Sequence, residues 1–350
     1  MNTFTSMLSL KYPIIQGPFG GGLSSAELVK SVADFGGLGS FGAHHLSPEK
    51  ITQLIKELKS STQGAFAINL WVANDDYFTG TMSKTQYAKC LDLFKPAYDQ
   101  LGLSPPIYKE TFTDDYEVQL QATIDETPPA ISFVFGVPRE EVVAECKSRK
   151  IVTIGTATTL QEALELEVVG IDLIVASGME AGGHRVSFLD EPENCLIGSM
   201  SLIPQIVDQV KVPVIAAGGI ADVRGVRAAM ALGAQGVQIG TAFLACQESG
   251  ATVIHKRTLL SQHVHDTVLS RAYTGRLARF INNEFIRYVE QTNSLPLPYP
   301  LQNYFVSKIK GEASVKNNFD YASLYAGQST PLLQHSKAYD LMHSLVVDFV

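Results

Sequence analysis

The segment Ser177–Arg185 contains the side chain best suited to chemistry in this sequence. It follows a short apolar run, and the paired glycines Gly182 and Gly183 come directly before His184. An imidazole titrates near neutrality, so it can donate a hydrogen bond, accept one or remove a proton. Glycines allow a ligand to approach the backbone closely. We therefore predict that His184 is catalytic, and the alternative for such a histidine is a structural role in a turn.

Two further apolar runs end in small residues that could bind a phosphate group. Gly218 and Gly219 follow the first of these runs, and Gly240 and Thr241 follow the second. Glycines leave backbone N–H groups accessible to phosphate oxygens, and the threonine hydroxyl is a further donor. A simple turn from a strand into a helix needs only one glycine. The two pairs therefore predict a phosphate-binding site.

Glycine-rich or polar positions also occur in two runs closer to the N terminus. The segment Gln16–Phe19 precedes three consecutive glycines and could bring the backbone against a planar ligand, although a plain turn is the alternative. Asn69 lies in the third run, and its amide can donate and accept hydrogen bonds at once. We expect this amide to suit the mixed donor and acceptor edge of a flavin or a nucleobase.

Eight short, β-branched apolar runs alternate with amphipathic segments, which is typical of parallel strands buried on both faces. Capping residues such as Ser47 and Asp222 mark the starts of helices between them. Eight alternations favour a closed (β/α)8 TIM barrel, an α/β fold, over a doubly wound sheet, which usually has fewer strands. Residues after the strands would then meet at the active-site face of the barrel. The predicted strands are Pro13–Gly17, Leu38–Gly42, Phe66–Trp71, Ala130–Phe135, Ile151–Thr156, Leu173–Ser177, Val212–Ala217 and Gly236–Phe243.

Two stretches of the chain do not fit this repeat of strands and helices. The stretch 72–129 is too long for an ordinary connection between a strand and a helix, and the residues beyond 250 follow the last predicted strand. We expect the two stretches to pack together. The sequence therefore predicts a barrel formed by residues 1–71 and 130–250, and a small lid or substrate domain formed by residues 72–129 and 251–350.

Composition and charge argue against several classes of protein. Hydrophobic residues make up 45% of the 350 residues and charged residues 18%, which allows a large core without the profile of a membrane or disordered protein. A formal net charge of −8 argues against a nucleic-acid partner. The four cysteines are scattered without the spacing of metal ligands, so we predict no metal. Because no leader and no long apolar run is found, we expect a cytoplasmic protein without a membrane segment.

Taken together, these motifs resemble those of the nitronate monooxygenases, formerly called 2-nitropropane dioxygenases. The likeness spans nearly the full length of the chain. Segments of the tail add signatures that are similar to those of the class I group. The segments that carry the resemblance are Pro13–Gly17, Asn69, Glu180–Arg185, Ala217–Ile220, Gln238–Thr241, Thr274–Arg279, Tyr299–Asn303 and Ala326–Gln328.

The resemblance implies FMN as the cofactor and His184 as the catalytic histidine. It also implies oxidation of an alkyl nitronate, such as propionate 3-nitronate, by O2 to a carbonyl compound and nitrite, with no need for a nicotinamide. Members of the family commonly have glutamine where this chain has Ser177, so the contact with the flavin there would be shorter or mediated by water. The cofactor contacts that the resemblance implies are Pro18, Asn69, Ser177, Gly182, Gly183, Gly218, Gly219, Gln238, Ile239, Gly240 and Thr241.

The sequence also contains two candidate substrate contacts and is compatible with other functions. If the tail is helical there, Tyr304 and Lys308 lie one helical turn apart and could supply a phenol and a cation to the pocket, or could be packing or solvated residues. The expected partners are a small anionic nitronate and O2, and self-association is left open. The rival enzymes are a flavin-dependent enoyl-thioester reductase and an NAD(P)H:quinone reductase. A barrel that binds flavin without catalysis is the alternative of a different class.

Overall fold

Eight parallel strands form a closed barrel in the computed structural model of the chain. The structure describes residues 3–73, 80–113, 115–261, 266–292 and 296–349. The barrel strands are β1 (Ile14–Gln16), β2 (Gly39–Gly42), β3 (Phe66–Trp71), β4 (Ala130–Val134), β5 (Val152–Ala157), β6 (Leu173–Ser177), β7 (Val214–Ala217) and β8 (Gly236–Ile239). Around the barrel their order is β1, β8, β7, β6, β5, β4, β3, β2. A parallel bridge between Ile15 and Leu38 joins the last strand back to the first.

The eight apolar runs become the eight barrel strands, so the predicted fold is confirmed. Every residue of β6 is buried, as expected for a parallel strand covered on both faces. The largest difference from the predicted bounds is at β8, which ends at Ile239 and not at Phe243. The chain enters a short helix at Thr241, so the apolar residues beyond Gly240 belong to that helix.

Helices follow the strands, and several begin at the capping residues that the sequence indicates. The side chain of Ser47 accepts a hydrogen bond from the Lys50 N–H, and the Asp222 carboxylate accepts one from the Arg224 N–H. Within the described residues, no helix is both long and apolar enough to span a bilayer. The helices are α1 (Thr3–Met7), α2 (Ala26–Phe35), α3 (Pro48–Ser61), α4 (Lys84–Leu101), α5 (Tyr116–Asp125), α6 (Glu140–Ser148), α7 (Leu160–Val168), α8 (Ser199–Val207), α9 (Val223–Ala231), α10 (Thr241–Leu244), α11 (Val253–Leu259), α12 (Glu284–Gln291), α13 (Leu301–Val315) and α14 (Ala338–Leu345).

The amino end of the barrel is closed by an apolar plug. Phe4 of α1 is fully buried and packs with Ile15, Leu173 and Ile215 from three barrel strands. A side chain at Gly236 would collide with the Phe4 ring, because its Cβ would lie 2.7 Å from the Phe4 Cε1 atom. Since this end is filled, a ligand can enter the barrel only at the carboxyl ends of the strands.

Parts of the two stretches outside the repeat share a second core beside the barrel. Phe94 and Tyr98 of α4 pack with Phe305 of α13, and the Tyr98 hydroxyl donates a hydrogen bond to the Phe305 carbonyl. The tail also builds a three-stranded antiparallel sheet over the barrel mouth. Its strands are Thr267–Ser270, Ala278–Ile281 and Gly183–His184, with His184 paired to Ala278. The tail therefore fixes the backbone of the histidine singled out in the sequence.

Two helices that lie in the predicted lid segments pack against the barrel. Tyr116, Leu120 and Ile124 of α5 are buried in the barrel core, although this helix falls inside the stretch 72–129. Helix α14 also joins the barrel core and contacts α2 and α9. Each helix buries one side against barrel elements, so the chain leaves the barrel and returns to it twice.

Candidate active site

A cavity of about 510 Å³ lies at the carboxyl ends of the barrel strands. This volume falls within the usual range for small-molecule sites. Its walls contain the residues that follow β1, β3, β6, β7 and β8, together with one face of α13 and the segment 323–330 of the tail. In barrel enzymes the reacting groups collect at this end. The described residues contain no group of three or more His, Cys, Asp or Glu side chains suited to a metal ion.

His184 is held on the cavity wall by a hydroxyl from the tail. Its Nε2 atom lies 3.0 Å from the Thr274 Oγ1 atom. That hydroxyl also accepts from the Arg276 N–H and lies 3.2 Å from the Arg276 carbonyl, to which it donates. A hydroxyl has one proton. When this proton is donated to the carbonyl, Nε2 must carry the imidazole hydrogen, and Nδ1 is left as an acceptor or base.

The imidazole of His184 is neutral across the ordinary pH range. Burial lowers the pKa of His184 to about 3, and the positive charges of Arg276 and Lys310 lower it further in the same direction. A neutral imidazole can accept a proton or donate one N–H. It cannot act as a fixed positive charge for an anion, so a cation for this purpose must come from another residue.

Aromatic rings surround the side chain of His184. Trp71, the last residue of β3, meets the imidazole edge-on with ring centroids 5.2 Å apart, and it stacks on His44 at 3.7 Å. On the other side the Arg276 guanidinium lies 4.0 Å from the Phe135 ring centroid and 5.2 Å from that of Trp71. The indole therefore holds two imidazoles in place. The local sequence does not indicate this role for Trp71, because an aromatic residue in an apolar strand is most often part of the core.

Because several histidines are buried in their neutral form, we predict that the folded protein loses stability in acid. Burial likewise lowers the pKa of His255 to about 4, whereas a free histidine has a value near 6.5. Below pH 6.5 the unfolded chain gains protons that the folded chain does not. The stabilisation from each neutral histidine is therefore present above pH 6.5 and decreases by about 1.4 kcal/mol per pH unit as the pH falls.

Urea unfolding at pH 7 and pH 5 measures this effect. His184→Asn removes one of these contributions, so its free energy of unfolding should fall less between the two pH values than that of the unsubstituted protein. Titrating carboxylates contribute equally to both proteins and cancel in the comparison. Equal losses in the two proteins would show that His184 is protonated in the folded state.

A glycine cradle lies at the ends of β7 and β8. Gly218 and Gly219 have φ values of 101° and 71°, a left-handed conformation that other residues rarely adopt. At Gly240 an added Cβ would meet only the Phe19 ring, at 3.8 Å, so the space above this backbone is open. The Thr241 hydroxyl accepts from the Gly327 N–H at 3.0 Å and can still donate its own proton. This set of donors suits an anionic oxygen group such as a phosphate.

The tail closes the cradle from above. The Ser329 hydroxyl donates to the Gly219 carbonyl at 2.5 Å, and the Gln328 N–H donates to the Glu180 carbonyl at 2.9 Å. Gly182 is required for this approach, because a Cβ there would lie 2.6 Å from the Gly327 nitrogen. Ser329 was not identified in the sequence analysis. Nothing in its local sequence shows that it reaches β7, which lies more than 100 residues earlier in the chain.

Comparison with known proteins identifies the family. A family model described as nitronate monooxygenase matches residues 2–348. The chain belongs to the nitronate monooxygenase family. A probable nitronate monooxygenase from Staphylococcus saprophyticus is 39% identical over 344 residues, which cover 98% of this chain and 96% of the relative.

Solved structures agree with this membership. A nitroalkane oxidase from Streptomyces ansochromogenes superposes with a TM-score of 0.89 and 32% identity, covering 99% of this chain and 98% of the other. FabK from Thermotoga maritima gives a TM-score of 0.77 and 25% identity, covering 100% and 96%. The predicted family is thus confirmed, and with it an oxidoreductase of a flavin-dependent family on a barrel fold.

Most of the contacts that the nitronate monooxygenase resemblance implies lie on the cavity wall. The Asn69 Nδ2 atom donates to the Ser132 hydroxyl at 3.0 Å, so its Oδ1 atom remains as an acceptor. Ser177 is largely buried, and its carbonyl accepts from the buried Arg185 guanidinium at 3.0 Å. Ile239 does not line the cavity: its side chain is in the core, and its carbonyl accepts from Gly17. The predicted contacts found on the wall are Pro18, Asn69, Ser177, Gly182, Gly183, His184, Gly218, Gly219, Gln238, Gly240 and Thr241.

The structure corrects the placement of Tyr304 and Lys308. The Tyr304 hydroxyl donates to the Ile107 carbonyl, and the Lys308 ammonium donates to the Pro105 carbonyl at 3.0 Å. Both side chains therefore contact the stretch 72–129 and turn away from the cavity. The chain is helical here, as that prediction required, but α13 turns a different face toward the cavity. The face that lines the cavity in this member of the nitronate monooxygenase family contains Asn303, Ser307, Lys310, Gly311 and Ser314.

Proposed function

We propose that this chain is an FMN-dependent nitronate monooxygenase that oxidises alkyl nitronates with O2 to a carbonyl compound and nitrite. One observation carries the proposal: a neutral histidine, His184, faces the same cavity as an open glycine cradle suited to a phosphate. Membership of the family supports the reaction class. Propionate 3-nitronate represents the expected substrates, which are small anions.

The residues at the cavity wall fit FMN. Gly218, Gly219, Gly240 and Thr241 would hold the phosphate through backbone N–H groups and one hydroxyl. Asn69, Ser177 and Gln238 would offer polar contacts along the ring and the ribityl chain, and Pro18 would pack on the ring. When bound, FMN supplies the electron-accepting chemistry that protein side chains lack.

The protein's own residues bind the substrate and control one proton. A nitronate already has carbanion character, so the protein needs to position it and need not create it by removing a proton. With Nε2–H bonded to Thr274, the Nδ1 atom can accept a proton from a substrate or from water. The aromatic wall of Trp71 and Phe135 excludes water from one side of the site, which strengthens the hydrogen bonds formed there.

A comparison of nitronates with NADH tests this function. The purified protein loaded with FMN should be yellow and should consume O2 and release nitrite when given ethylnitronate or propionate 3-nitronate. NADH added without O2 should leave the flavin oxidised. Rapid bleaching by NADH would favour the enoyl-thioester reductase or the quinone reductase, and bound flavin without any turnover would favour a binding protein.

A further inference from the structure

The cavity wall has an unusual distribution of charge. Among the residues that line it in the described part of the chain there is no Asp or Glu, although the whole chain has 35 acidic residues and a net charge of −8. The same set contains one Lys or Arg side chain, Lys310 of α13. The cavity is therefore a positive site in an acidic protein.

Lys310 forms no ion pair with a described carboxylate. Its Nζ atom donates to the Asn303 Oδ1 atom at 2.5 Å, which is a neutral acceptor. Burial lowers the pKa of Lys310 to about 8, so it remains mostly protonated at pH 7. Burying an ammonium group without a counter-ion is costly, and such sites are typically completed by a bound anion. The counter-ion is therefore expected in the ligand.

The position of Lys310 indicates which part of a ligand it contacts. It lies on α13, whereas the glycine cradle is built by β7, β8 and the segment 326–329 of the tail. Its charge is close enough to His184 and His44 to lower the pKa of both. Lys310 therefore belongs to the substrate region of the cavity and not to the phosphate cradle.

The hydrogen-bond donors beside Lys310 suit an oxyanion. The ammonium group has three N–H bonds, of which one is used by Asn303. Because the Asn303 Oδ1 atom is engaged, its Nδ2 group is the part left to bind a ligand. Ser307 and Ser314 donate to carbonyls of their own helix and offer no further proton. Lys310 and Asn303 together form a donor pair that matches the two oxygens of a carboxylate.

We propose that Lys310, assisted by Asn303, is a specificity-determining residue that binds a second anionic group, such as a carboxylate, on the carbon chain of the nitronate. The nitronate group itself would lie beside His184. This inference rests on the proposed function, since it assigns the non-reacting end of the same substrate. It implies a preference for nitronates of short organic acids over simple alkyl nitronates.

The test compares Lys310→Met with Lys308→Met. Lys308 is a matched control on the same helix, because its ammonium contacts the Pro105 carbonyl outside the cavity. For each FMN-loaded protein, kcat/KM is measured with propionate 3-nitronate and with butyl-1-nitronate, which lacks the carboxylate. We expect Lys310→Met to lower the ratio of the two values by roughly tenfold to a hundredfold, mainly through KM. Lys308→Met should leave the ratio unchanged, and Lys310→Arg should restore much of it.

Three results would overturn the inference. Equal losses with both nitronates would mean that Lys310 acts on the reacting group. Loss of FMN in Lys310→Met would assign it to the cofactor phosphate, and an unchanged ratio would leave it without a role in selectivity. If the unsubstituted protein oxidises neither nitronate, the proposed function fails. Binding of 3-nitropropionate that is weakened in Lys310→Met, but not in Lys308→Met, would then still support a carboxylate site.

Discussion

Replacing His184 by asparagine is expected to lower kcat/KM with alkyl nitronates by roughly tenfold to a hundredfold, because the imidazole that would lie beside the reacting group of the bound nitronate is lost. Asparagine retains an amide that can bond Thr274 but has no basic nitrogen. The glycine cradle is built by β7, β8 and the tail, so FMN should remain bound. Steady-state oxygen consumption, with flavin content measured by absorbance, checks both parts.

A surface histidine provides the control for this substitution. His343 lies exposed on α14, remote from the cavity residues, and His343→Asn should retain full activity. Loss of flavin from His184→Asn would give the histidine a structural role in the cofactor site. Retention of full activity would remove it from the mechanism.

The barrel could be predicted from sequence because burial on both faces leaves a local signal. A strand such as β6 has no solvent-facing side, so its residues form a short continuous apolar run bounded by turns. Eight such runs separated by helical segments permit few architectures other than a barrel. Site residues directly after strands, such as Gly218 and His184, could be predicted for the same reason, since parallel strands all end on one face.

The orientation of α13 could not be predicted in this way. A helix advances about 100° per residue, so Lys308 and Lys310 point in directions about 200° apart. Its buried residues form one face, and the sequence does not show which of the remaining faces borders the cavity; the buried residues are Leu301, Gln302, Phe305, Val306, Ile309 and Ala313. Only the packing of Phe305 against α4 decides which lysine faces the cavity.

Contacts between distant parts of the chain could not be predicted from the sequence either. Thr274 bonds His184 across 90 residues, and Ser329 bonds Gly219 across 110. Each is a small hydroxyl residue in a loop, which is a common composition for any turn. Gly182 is an indirect sign that the tail lies close to this strand end, because a side chain there would displace the tail from the cradle.

Gly240→Ala is expected to weaken FMN binding by roughly tenfold to a hundredfold, the cost of placing a methyl group into an occupied, close-packed site. The φ value at this position is −101°, which alanine can adopt, and the new Cβ would meet only the Phe19 ring at 3.8 Å. The fold without cofactor should therefore be unaffected. Gly218→Ala should instead destabilise the fold itself, because φ is 101° and the Cβ would lie 2.9 Å from the Gly178 carbonyl oxygen.

Fluorescence titration with FMN and thermal unfolding without FMN separate these effects. Gly240→Ala should show weaker FMN binding at an unchanged Tm, whereas Gly218→Ala should lower both. Gly311→Ala is the matched control, since it adds a methyl group elsewhere on the cavity wall, at a helical position with nothing within 4 Å. Native FMN affinity in Gly240→Ala would mean that the phosphate is bound elsewhere. The flavin ring would then lose its fixed position beside His184, and the proposed reaction would lose its geometric basis.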